Sequence, residues 1–90
     1  MNKTIWIFNG EGALFPSGVF NTLDTANHWI VENSLSGVLT EYPVDTGVYD
    51  WAVSIGYFSP NKPQQQSSKF IGKFTSSHQN HFHYENGAKI

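Results

Sequence analysis

The apolar positions fall in short runs whose period changes along the chain. Thr4-Ile5-Trp6-Ile7-Phe8 is almost wholly apolar and β-rich, which predicts a central strand. Gly10-Glu11-Gly12 opens a loop, and Phe15-Pro16-Ser17-Gly18 signals a turn. Val19-Phe20 then reads as a short second strand completing a hairpin. The period next becomes helical. Leu23, Ala26, Ile30 and Val31 form one stripe, widened by Trp29, with Asn21 or Thr22 as cap and Asp24 in the first turn.

Gly37 restarts the chain as a strand over 38–44, with Val38, Thr40 and Tyr42 on one face and Leu39 and Glu41 on the other. Asp45 reads as the cap of a second helix, because Val48, Trp51, Ala52 and Ile55 follow at helical spacing. Gly56 stands where a terminating glycine belongs, with Tyr57 positioned to close that motif. Residues 59–68 carry Pro60, Pro63 and three Gln and read as a surface loop. Phe70, Ile71 and Phe74 fit either a short helix capped by Ser67 or Ser68, or an edge strand. A last strand over 80–85 stops at Asn86-Gly87. The expectation is an α+β fold: one globular domain over 1–90, with a small, mostly antiparallel sheet of about four strands. Two main helices pack on it, with a third short helix as an option.

Composition narrows the chemistry. Cys is absent, which removes disulfides, thiolate metal sites and a cysteine nucleophile, and fits a cytoplasmic protein. The five cations are all Lys and the net charge is −2. Arg supplies most bidentate contacts to phosphate and guanine, so its absence argues against nucleic acid as a partner. The apolar run at 4–8 is shorter than the roughly 20 residues of a membrane helix, so no membrane is expected.

Candidate chemistry is sparse. On a strand, His81, His83 and Glu85 share a face and could together hold a divalent metal; the plainer reading is a solvent-facing polar row. Gly10-Glu11-Gly12 lacks the further glycine and the immediate helix of a phosphate-cradling loop. No Gly-x-Ser-x-Gly elbow exists, and Asp45 and Asp50 give no ground for a paired-carboxylate hydrolase. No cofactor is called for, and the balance is against an enzyme.

The aromatics are the remaining signal. Seven Phe, four Tyr and three Trp are many for so small a core, and Trp and Tyr are favoured interface anchors. The expected function is a non-enzymatic binding module whose surface gathers Phe15, Tyr49, Trp51 and Tyr57. Its partner would be another protein or a second copy of itself. The alternative is a small-ligand pocket, nucleotide-like in shape, with aromatic walls and Glu11, Ser17 and Asp50 as polar groups.

Several segments form a pattern together: Phe15-Pro16-Ser17-Gly18-Val19-Phe20, Trp29-Ile30, Leu35-Ser36-Gly37, Tyr42 through Ala52, and His81-Phe82-His83-Tyr84-Glu85. They resemble a family of short, stand-alone bacterial proteins of unknown function. The resemblance implies a bacterial, single-domain, cytoplasmic protein and transfers no catalytic residue. A looser likeness, of size and composition only, is to small immunity proteins that neutralise bacterial toxins.

Overall fold

The computed structural model describes residues 3–90. Five strands form one antiparallel sheet in the order β2-β1-β3-β4-β5. They are β1 (Thr4–Gly10), β2 (Gly18–Phe20), β3 (Gly37–Pro43), β4 (His81–Glu85) and β5 (Ala88–Lys89). Three helices accompany them: α1 (Leu23–Glu32), α2 (Val48–Ser54) and α3 (Ser68–Lys73), with a 3-10 turn at Pro63–Gln66 before α3. Among the described residues no helix is long and apolar enough to cross a membrane.

β1 and β3 pair along their full length, Thr4 opposite Pro43 and Gly10 opposite Gly37. Alternation then decides the core. Trp6, Phe8, Leu39 and Tyr84 face α1 and bury themselves against Ala26 and Ile30. Phe8, Ile30 and Leu39 are the largest fully buried side chains, and burying each contributes about 1.5–3 kcal/mol. Tyr84 also donates its hydroxyl to Asn27 Oδ1 on α1 at 2.8 Å. The other sheet face carries Ile5, Ile7, Val38, Thr40 and Tyr42, all partly exposed, and the exposed His81 and His83.

α1 begins at Thr22, whose side chain accepts from Thr25 N. It ends in a Schellman motif: Ser34 N bonds Val31 O and Leu35 N bonds Ile30 O, which swings Leu35 onto the core. Ser34 supplies the left-handed residue with φ 53°, and Val31 on the expected stripe is 51% exposed.

One open choice is settled and two expectations are corrected. Ser68–Lys73 form a helix, capped by the Ser67 side chain on Phe70 N. The strand that stops at Asn86-Gly87 is not the last one. Both residues take positive φ, as a two-residue hairpin turn requires, and a fifth strand returns along β4. Asp45 does not cap α2: it sits in a turn with φ 62°, and the helix starts after Gly47 without a side-chain cap.

The buried face of α2 is also rotated from the expected stripe. Tyr49 and Ala52 are buried while Ile55 is 50% exposed. The reason is a second, separate aromatic cluster. Tyr49 packs against Phe58, Phe70 and Phe74, with centroids 5.4–6.2 Å away. Its hydroxyl donates to Gln65 O at 2.8 Å. The Gln65 side chain in turn accepts from Asn61 N and Lys62 N. The loop of 59–68 is thereby tied to α2.

Candidate functional site

β1 runs from the α2 end of the sheet, where Thr4 meets Pro43, to the opposite end, where Gly10 meets Gly37. Phe15 and Ser17 follow β1 and so lie at the far end from α2. Seven residues at about 3.4 Å each separate the two ends by roughly 20 Å. The expected gathering of Phe15 with Tyr49, Trp51 and Tyr57 is therefore not formed. Glu11 lines an open concavity at the Gly10 end with Gly37, His83 and Glu85, and Phe15 is 76% exposed beside Leu14. Tyr49 belongs to the second aromatic cluster, and Asp50 is exposed on α2.

His81 and His83 do stand side by side, ring centroids 5.5 Å apart, with His81 Nδ1 bonded to Gln79 O at 2.7 Å. Glu85 does not complete them. Among the described residues no group of three or more His, Asp or Glu side chains could hold one metal ion.

The rings that converge are Trp51, Tyr57 and His78. α2 ends in a second Schellman motif, Gly56 N to Val53 O and Tyr57 N to Ala52 O. Gly56 at φ 86° makes the reversal possible. That turn brings Tyr57 back over its own helix, where it meets Trp51 edge-on at 5.6 Å. Tyr57 also stacks on His78, centroids 4.1 Å apart and planes 9° apart. His78 belongs to the loop before β4, which is anchored beneath: Gln79 is buried and its Nε2 donates to Glu41 O at 3.1 Å.

These rings border a concavity of 180 Å³ together with Ile55, Tyr42 and Glu41. Glu41 is half-buried. One carboxylate oxygen accepts from Thr4 Oγ1 and the other from Asn80 Nδ2 at 2.9 Å. Among the described residues the one salt-bridge-range contact is His28 with Glu32, at 3.7 Å on exposed α1, so Glu41 has no Lys or His partner there. Tyr57 and Ile55 are about half exposed, at 48% and 50%. His78, Ile55 and Glu41 were not read as site residues from sequence. The glycine-terminated helix was a usable signal for the fold back of Tyr57, whereas the meeting with residue 78 is set by tertiary packing alone.

A family model described as a domain of unknown function, DUF7710, matches residues 5–90. The chain belongs to that family. The match covers both sheet and aromatic end, and the family description assigns no activity to either. No curated protein matches and no solved structure matches.

Proposed function

We propose that this chain is a non-enzymatic binding protein of the bacterial cytoplasm. On this reading it recognises another protein, in the manner of an immunity or inhibitor protein, through the surface of Trp51, Ile55, Tyr57 and His78. The observation that carries the reading is the half-exposure of Tyr57 and Ile55 around one concavity. Aromatics presented this way, beside an apolar neighbour and a polar rim, have the composition of an interface anchor. Self-association through the same surface is the variant form of the proposal. A small-ligand pocket has less support at this place, because 180 Å³ is below the roughly 300–1,000 Å³ of ligand sites. The absence of Cys and the bacterial likeness of the motifs support the assignment to a bacterial cytoplasm.

The experiment compares wild type with the Ile55→Asp/Tyr57→Ala double variant. Light scattering reads self-association, and affinity capture from the native cell extract reads a protein partner. A dimer or a retained protein that the double variant loses, with its circular dichroism unchanged, supports the proposal. Wild type that stays monomeric and retains nothing the variant does not would overturn it.

A further inference from the structure

The concavity at the α2 end unites two features that select a ligand by charge. Its walls include rings, and its one acidic group is a carboxylate, beside the polar Thr4, Gln79 and Asn80. Trp51, Tyr57 and His78 border it, and Glu41 stands among them. Aromatic faces carry negative quadrupole potential and attract cations lying over them. A carboxylate offers about four acceptor sites, of which Thr4 and Asn80 occupy two. The remaining acceptor capacity has no cation to meet it among the described residues.

We propose that this concavity receives one basic side chain of the partner, an arginine in preference to a lysine, with its charge against Glu41 and its plane along the aromatic wall. The inference rests on the reading of this surface as a protein-binding one and names the chemistry of its anchor. Size agrees, since 180 Å³ suits a single long side chain. The guanidinium is planar, weakly hydrated and able both to stack and to bond a carboxylate bidentately, which an ammonium is not. The carrier's own composition agrees as well. This chain has no Arg and a net charge of −2, so it offers no guanidinium that would compete for the site.

The test uses the full chain and N-acetyl-arginine methylamide as the probe, followed by nitrogen–proton correlation spectra. Acetyl-lysine methylamide and the uncharged acetyl-citrulline methylamide run beside it. The expected result is a saturable shift of the Trp51 indole N–H and of the amides around residues 57 and 78. It should be largest for arginine, smaller for lysine and absent for citrulline. Glu41→Gln should weaken arginine binding about tenfold, and Tyr57→Ala about threefold. The same spectra report whether each variant is folded. If Glu41→Gln does not fold, the loss in Tyr57→Ala and the citrulline comparison decide. Shifts that citrulline reproduces, shifts at other places, or none with arginine would sink the inference. A partner captured by the wild-type surface while arginine leaves Trp51 unmoved would overturn the basic anchor and leave the protein-binding reading standing.

Discussion

The ring of Tyr57, set by the end of α2, lies flat against the imidazole of His78, with centroids 4.1 Å apart and planes 9° apart. Neither residue lies in a helix or strand, and the stack is a direct link between the end of α2 and the loop entering β4. Such aromatic pairs contribute about 0.5–1.5 kcal/mol beyond their area. A double-mutant cycle with Tyr57→Ala and His78→Ala, read by urea unfolding, should give a coupling energy within that range. Additive single losses would show that the contact contributes nothing.

Gly37 leaves no room for a side chain. A Cβ there would lie 2.2 Å from Asn9 O and 2.8 Å from the Phe8 ring, and φ is 153°. Gly37→Ala should therefore cost about 3 kcal/mol or more, from strain and overpacking combined. Ser34 gives the opposite expectation. It holds a left-handed φ of 53° at the end of α1, where glycine is the unstrained choice. Ser34→Gly should raise stability by up to about 1 kcal/mol. Thermal unfolding of both variants checks the pair, and a stabilised Gly37→Ala would contradict the packing at the β1–β3 end.

Burial pushes the Tyr84 phenol above its ordinary value of 10.0. Below that value the hydroxyl is protonated in both folded and unfolded chains, so its contribution is fully present. As pH rises past it, the unfolded chain releases the proton first, and stability is lost progressively up to the folded value. Tyr84→Phe should be less stable near neutrality by about 1 kcal/mol, since Asn27 loses its donor. It should also lose less stability than wild type across the alkaline range. Urea midpoints of the two proteins from neutrality upward test this, and parallel curves would refute it.

Much of the fold was legible because local signals agreed. Thr22 as cap, the alternation of Leu39 with Val38 and Thr40, and Gly56 as terminator are all decided within a few residues. What escaped depended on distant partners. Tyr49 turns inward because Phe58, Phe70 and Phe74 wait for it, and that rotates Ile55 out to solvent. No period within α2 encodes this. The site was half legible for the same reason. Trp51 and Tyr57 stand out as aromatics at a helix end, while nothing local separates Phe15 from them, and only the β1–β3 register carries it to the opposite end. His78 and Glu41 join only once β3 and the loop before β4 lie side by side.

The bond from Tyr84 to Asn27 spans 57 residues of chain. During synthesis the N-terminal portion emerges first, at about 5–20 residues per second. α1, β1 and β3 are therefore synthesised before the strand that completes their apolar face. Until residue 84 has left the ribosome, Phe8, Ile30 and Leu39 have only part of their cover. Until then the nascent chain exposes the surface that the finished protein hides best.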